Sequence, residues 1–594
     1  MVQKALIMVR LELAVMELPL LEGIFLTNQP LKLIFSVDSD MLFSWPAQVG
    51  GAGNLTVLPY LQIKPFEITG TFPIFVASRN SSKVDDGCDP LPENTPDLSK
   101  YIVLVGRGTC PFTQKAENFK AKGANKLIYY NNECQILYPE VDTLPTAMIT
   151  AKDGASLLKA MKNGTNTVTL TFVTNPQPLD IHDTQSGGKM SVFSTWGPTF
   201  ETYNQPHISA PGGNIFSTYP LKKGGYAVLS GTSMATPYLA GVAALYLSYH
   251  GRTSISARDL RDVMSTNGIP LNFNDGMTTS NYLAPTIQQG GGLVNALNVV
   301  YQTTRIHPGF IHLNDTARFT GSVDISIWNL GDSGVKYTFG SQPAVTVYAL
   351  GNDSVDLQAF PLELINAPAQ VSVYPKSIWV DPRDHGIITV SIQEPKNLDH
   401  TRVPVYSGFV QVLASNSEEF HIPYMGVAQD MSKAQVLDRD GYPDVSRSSN
   451  DIVSIKDDEV FTLDKDDKPI VWWRNILGTA LLDIKLVPIT NDSSDHLLSK
   501  RGDVIATSKS KRGKSIHGFP QRYLSRDGFG DRSNIIFEGK YNNENTVPNG
   551  RYKFLLKALK IMGDPTQEAS YETWLSRSFY ITRNSTSSKT KSEE

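Results

Sequence analysis

The stretch Gly231-Thr-Ser-Met-Ala-Thr-Pro237 places one hydroxyl where acyl chemistry could be done. Gly231 permits a tight turn, Ser233 follows at a loop-to-helix junction, and Pro237 brings the fixed φ and missing N–H that a first helical turn tolerates. The small residues Ala240, Gly241, Ala243 and Ala244 then predict a helix packed closely on a sheet, which would mount the hydroxyl rigidly. Unpaired N–H groups and the positive dipole end at such a helix start suit an oxyanion that develops during acyl transfer. A lone serine before an apolar run is more often a simple N-cap, so context must decide.

Two upstream strings supply that context: Phe193-Ser-Thr-Trp-Gly-Pro-Thr199 and His207-Ile-Ser-Ala-Pro-Gly-Gly213. With the Ser233 string they resemble, in order and spacing, the serine half of the subtilisin-like proteases (subtilases). The resemblance implies Ser233 as nucleophile, protein or peptide substrates, and hydrolysis through an acyl-enzyme. It also implies an aspartate and a histidine N-terminal to the serine, in that chain order. Neither is identifiable. The first histidine, His182, lacks a following Gly-Thr, lies too close to the serine segment, and reads as a surface residue. Without a base a serine hydroxyl is a weak nucleophile, so the chain as written is expected to be inactive or severely impaired. The competing class is a secreted binding or adhesion protein with a vestigial serine loop.

The N-terminal stretch accounts for the gap in one way. Leu11 to Glu22 mixes acids into an apolar run without helix or strand periodicity, and Glu12, Glu17 and Glu22 make it neither a signal peptide nor a membrane span. If the codons for Ala14 to Glu22 are read one nucleotide back, the genetic code permits Gly-His-Gly-Thr-Ser-Val-Ala-Gly-Gly, which resembles the missing histidine block of the family. Frameshift, wrong start and true degeneration all remain open at this point. Asn54 follows Ala-Gly, as the oxyanion asparagine of the family does, but Asn54-Leu-Thr56 is equally a glycosylation sequon, and that reading is favoured.

The 594 residues suffice for three or four domains, and 19% charged residues with a net charge of -4 argue against a nucleic-acid partner or a polybasic membrane anchor. Sequons at Asn54, Asn80, Asn163, Asn314, Asn352, Asn491 and Asn584 are compatible with a secreted, extracellular or cell-wall protein. Among Cys88, Cys110 and Cys134, a bridge between the first two would close a proline-rich loop and leave Cys134 over.

Around those cysteines, strand and helix patterns alternate: strands at 101–105 and 126–130, helices at 113–124 and 150–162. Gly106-Arg-Gly-Thr-Cys-Pro-Phe112 resembles the protease-associated domain inserted in secreted subtilases, whose implied role is to gate or select substrates. Helices are expected over 257–265 and 291–300. From about Ile306, short alternating strands separated by Gly, Asn, Asp and Pro turns give a β-sandwich pattern, similar to a fibronectin type III-like domain.

The expected fold class is therefore multidomain. A degenerate remnant of the N-terminal catalytic half (1–65) is followed by an α/β protease-associated insertion (66–173) and the C-terminal half of an α/β subtilisin-like catalytic domain (174–305). C-terminal all-β sandwich domains complete the chain, one fibronectin type III-like (306–427) and one β-rich (428–594) with a polar tail. Arg501-Gly-Asp503 reads as a chance string and Lys509 to Lys514 as a solvated loop. No cofactor is identifiable; a structural calcium is implied by the resemblance alone, and no acidic loop specifies it.

Overall fold

The computed structural model describes residues 34–583 except 64–67, 79, 81–85, 133–135, 137, 164–166, 174–178, 184–185, 277–278, 353, 360–361, 490–512 and 529. The run Ala14 to Glu22, Cys134, the Arg501-Gly-Asp503 string and the tail from Asn584 lie outside them.

The sheet that carries the serine helix has four short strands. Phe35–Asp38 pairs in parallel with Ser209–Gly213, which pairs in parallel with Leu293–Val294, and Gly268–Ile269 closes the edge antiparallel. Phe35, Ser36, Val37 and Asp38 are all buried, as expected of a strand covered on both faces. The serine helix, Thr232–His250, covers one face and buries Ala235, Leu239, Ala240, Val242, Ala243, Tyr246 and Leu247. Its neighbour Ala257–Thr266 is capped by Ser256, whose hydroxyl accepts from Asp259 N–H, and it adds Leu260, Val263 and Met264 to the same core.

The helix expected over 291–300 divides. Leu293–Val294 is a sheet strand, and the helix begins only at Ala296, with Asn295 accepting from Asn298 N–H as its cap. Gly290 and Gly292 have φ of +62° and +103°, and a Cβ on Gly291 would collide with the Ser265 carbonyl oxygen. This glycine run is therefore a turn pressed against helix Ala257–Thr266, not a helix start.

After Asp38 the chain leaves this domain and returns beside the point of exit. Strands Met41–Gly50 and Leu179–His182 run antiparallel, with Met41 opposite His182, and form a stalk. Asp183 N–H donates to the Asp40 carbonyl, and Gly188 N–H to the Asp38 carbonyl, both at 2.9 Å. The α/β unit on this stalk has the strand order Val57–Tyr60, Met41–Gly50, Thr169–Phe172, Gly70–Phe75, Ile102–Gly106, Leu127–Tyr130, Thr146–Ile149, with helices Phe112–Lys120 and Ala151–Asn163. Its sheet takes in Met41 to Tyr60, so it is broader than the 66–173 that the sequence suggests. Pro46 and Pro59, which face one another in these strands, mask the strand pattern there. Cys88 and Cys110 are bridged. The fully buried Lys115 donates from Nζ to the Gly106 carbonyl at 2.7 Å, satisfying the end of strand Ile102–Gly106.

The β-sandwich that follows packs the sheet Thr304–His307, Ser322–Asn329, His385–Gln393, Gln370–Tyr374 against a larger sheet built on Pro404–Ala414 and Glu419–Val427. Ile325, Ile327, Tyr337, Ile388, Tyr406 and Ile422 fill the space between them. A second two-sheet unit, centred on Pro469–Trp473, Thr479–Pro488 and Gly550–Leu559, has a core of its own around Phe461, Leu482, Ile484, Leu486 and Phe554. No described helix is long and apolar enough to cross a membrane.

The domain that carries the serine helix and the first sandwich meet at a polar and aromatic joint. His307 Nδ1 lies 3.0 Å from Asp262 Oδ2, and Phe310 sits between the rings of His207 and His312 at 6.1 and 4.7 Å. Burial, then the Arg261 charge and then His312, pushes His207 down from 6.5 to about 3; burial and Arg261 push His312 to about 4. Both rings stay neutral in the fold where an unfolded chain would protonate them. Stability from these groups is thus full above about pH 6.5 and declines as pH falls towards the folded values, by up to ~1.4 kcal/mol per pH unit for each ring. Thermal melts at neutral and mildly acidic pH should show a larger loss of Tm for the parent than for a His207→Gln/His312→Gln variant; equal losses would remove the joint from the explanation.

Close packing beneath the serine helix is equally testable. A Cβ on Gly212 would lie 2.6 Å from Ser36 Oγ, 2.8 Å from the Gly231 carbonyl and 2.9 Å from Ala235 Cβ, whereas one on Gly241 meets nothing within 4 Å. The close approach is thus made by the strand glycine, not by Gly241 of the helix. Gly212→Val should cost about 1–3 kcal/mol by overpacking, and Gly241→Ala should be neutral or stabilise by up to ~1 kcal/mol, both read from urea midpoints.

Candidate functional site

Ser233 is the second residue of helix Thr232–His250 and is exposed. The junction before it is built from backbone. Gly231 N–H donates to the Gly212 carbonyl at 2.8 Å, and Met234 N–H donates to the Gly231 carbonyl at 2.9 Å. Gly231 caps the helix in an extended conformation without a side-chain cap. Among the described residues the N–H groups of Thr232 and Ser233 have no acceptor, so two donors remain open at the positive end of the helix.

Pro237 falls in the second turn rather than the first, because the helix begins five residues before it. Its missing N–H removes the donor that would otherwise reach the Ser233 carbonyl. One turn back, Thr236 Oγ1 donates to the Thr232 carbonyl at 2.9 Å.

The three strings that mark the sequence converge here. Ser209–Gly213 runs under the helix start and ends in the diglycine that admits it. Ser194, from the second string, accepts Ser36 N–H at 3.1 Å. Ser191 Oγ lies 2.9 Å from Ser36 Oγ and donates to Asp38 Oδ1 at 2.5 Å. Ser36, Asp38, Ser191 and Ser194 are all buried, and a Cβ on Gly213 would collide with Asp38 Oδ1. This buried network, which the sequence reading missed, ties the strand before the α/β unit to the segment after it. Its signal is short and sits next to a stretch without legible periodicity: Ser36-Val-Asp38. Asn214 and Ser230 were missed as well. Ser230 Oγ accepts Asn214 N–H at 2.8 Å and donates to Asn214 Oδ1 at 3.3 Å, holding Asn214 at φ 58° just before the hairpin that leads to Ser233.

No described histidine hydrogen-bonds Ser233, and Ser233 Oγ has no hydrogen-bond partner among the described residues. His182 lies exposed on the stalk, with Nδ1 2.8 Å from the Asp40 carbonyl. His207 stands five residues before Gly212 on an extended path, roughly 16 Å along it at ~3.3 Å per residue. His250 ends the serine helix, 17 residues beyond Ser233 and so roughly 25 Å away at ~1.5 Å per residue. Asn54 is exposed in the loop between strands Met41–Gly50 and Val57–Tyr60. Among the described residues no group of three or more His, Cys, Asp or Glu side chains converges as a metal site.

Comparison with known proteins agrees with the motifs. The subtilase family model matches residues 74–292, and an Fn3-like domain model matches residues 311–425. The chain is 28% identical over 417 residues to the C5a peptidase of Streptococcus pyogenes serotype M1, covering 66% of this chain and 32% of that protein. It is 31% identical over 221 residues to the Minor extracellular protease Vpr of Bacillus subtilis (strain 168), covering 36% of this chain and 25% of that protein. With the PI-type proteinase of Lactococcus lactis subsp. cremoris it shares 25% identity over 412 residues, 64% of this chain and 21% of that one. The chain spans about a third of the length of the first of these relatives. Sequence motifs, the packed helix start and these matches together place in this chain a subtilase-family domain over residues 74–292, followed by an Fn3-like domain over residues 311–425.

Proposed function

We propose that this is the chain of a subtilase-type serine endopeptidase in which Ser233 is the nucleophile and whose activity is severely impaired. The observation that carries the reading is Ser233 itself: an exposed hydroxyl on the first turn of a helix that is packed without slack on Gly212, beside open backbone donors. Ser233 Oγ would attack the scissile carbonyl, and the N–H groups of Thr232 and Ser233 would help hold the oxyanion. The hydroxyl proton needs a base, and Ser233 has no hydrogen-bonded histidine among the described residues. Without base and orienting acid, only binding and oxyanion stabilisation remain to raise the rate.

In this reading the α/β unit on the stalk is a protease-associated insertion that gates or selects protein substrates. The protein works outside the cell, in keeping with a relative named as an extracellular protease. The unpartnered Ser233 also favours a second reading, a secreted binding protein in which the serine loop is vestigial.

A fluorophosphonate probe separates the two, because covalent labelling requires an activated hydroxyl. Under the impaired-enzyme reading, labelling is slow but measurable and is lost in Ser233→Ala; complete absence of labelling leaves the binding protein. Rapid casein turnover abolished by Ser233→Ala would instead refute the impairment. Sequencing the coding DNA across Ala14 to Glu22 tests the origin of the gap: an alternative frame that does not spell His-Gly-Thr ends the frameshift account.

A further inference from the structure

The hairpin that delivers the chain to Ser233 has a tip that packing does not explain. Strands Ile215–Thr218 and Tyr226–Leu229 pair with Phe216 opposite Val228 and Thr218 opposite Tyr226. Between them, Pro220 opens a single 3-10 turn, Leu221–Lys223, and Gly224 and Gly225 at φ 108° and 78° close it. Lys223 N–H donates to the Pro220 carbonyl and Tyr219 N–H to the Gly225 carbonyl, both at 2.7 Å, so the tip is held by its own backbone. It presents Leu221 at 92% exposure, followed directly by the exposed Lys222 and Lys223.

Neither lysine has an ion-pair partner among the described residues, in a chain whose net charge is -4. Lys223 Nζ stands 5.7 Å from the Tyr219 ring centroid, which fixes its direction without neutralising it. Along the hairpin an aromatic strip leads away from the tip. Tyr226, 53% exposed, stacks on Phe216 at 5.5 Å; Phe216 stacks on Phe43 of the stalk at 4.3 Å and meets Trp45 edge-on at 6.4 Å. Phe43 and Trp45 are two residues apart on one strand and so share a face. Val228 N–H donates to the Ile63 carbonyl at 3.3 Å, joining hairpin and α/β unit a second time.

We propose that this tip and strip form an exosite for an acidic peptide segment that carries an apolar residue. Leu221 and Tyr226 meet the apolar residue, and Lys222 and Lys223 meet its flanking carboxylates. Charge complementarity selects the occupant: two unneutralised ammonium groups adjoin one apolar contact, a pattern that a short run of Asp or Glu next to an aromatic or aliphatic side chain satisfies. A single leucine offers too little apolar area for a stable lipid anchor. The proposal rests on the reading of this chain as one that takes polypeptides, because the hairpin runs through Leu229 and Ser230 directly into the serine turn.

The test is fluorescence anisotropy of the full chain with a labelled peptide Gly-Glu-Asp-Phe-Glu-Asp-Gly and its carboxamide counterpart Gly-Gln-Asn-Phe-Gln-Asn-Gly. The acidic peptide should bind about tenfold more tightly, and Lys222→Glu/Lys223→Glu should abolish or invert that preference. Raising salt should narrow the difference. Leu221→Ser should weaken both peptides alike. These residues are exposed, so the variants should keep the parental Tm. Equal binding of the two peptides, or a preference that survives the charge reversal, overturns the exosite. So does charge-reversal-sensitive binding to phosphatidylserine vesicles without any peptide preference. Binding that is unchanged in Ser233→Ala, in a chain that no fluorophosphonate labels, keeps the exosite while removing the catalytic reading.

Discussion

Contact between the start of helix Thr232–His250 and the end of strand Ser209–Gly213 is the constraint on which the rest depends. Gly212 leaves no room for a Cβ between Ser36, the Gly231 carbonyl and Ala235, so the helix start is set against the sheet by backbone contact. Dispersion and exclusion of water act at full strength over such a contact, and neither strand nor helix can slide without breaking the Gly231 to Gly212 hydrogen bond. Ser233 inherits that rigidity. A flexible serine loop would present the same hydroxyl without a fixed orientation.

Beneath that contact, the Ser36, Asp38, Ser191 and Ser194 network solves a different problem. The α/β unit interrupts the domain between Asp38 and Asp183, so the two ends of the interruption must be held together by something other than chain continuity. Buried hydroxyls and a buried carboxylate do this through directional bonds, which fix register where an apolar contact would tolerate slippage. The stalk strands repeat the device outside the core, and the Phe43 to Phe216 stack adds a contact between the unit and the hairpin leading to the serine.

Much of this is legible in the sequence. The Gly-Thr-Ser string, the small residues after it and the two upstream strings point to a helix-mounted serine on a sheet. The Cys88 to Cys110 bridge and the alternating strands of the first sandwich are also readable, because each is a local pattern of spacing or period. What fails does so for local reasons as well. The glycine run at 290–292 reads as a helix start until positive φ and contact with Ser265 are seen. Strands at 41–60 are masked by prolines placed opposite one another.

Chemistry by residue type was set by the sequence: a serine within Gly231-Thr-Ser-Met-Ala-Thr-Pro237 and two lysines beside a leucine, both of which follow from residue identity and order. Placement was decided by tertiary structure alone. That Gly212 rather than Gly241 makes the close approach, that Asp38 lies buried against Gly213, and that Phe43 stacks on Phe216 are contacts between residues far apart in the chain. No local period or propensity encodes them; they exist only once packing has excluded water and brought the segments to van der Waals distance.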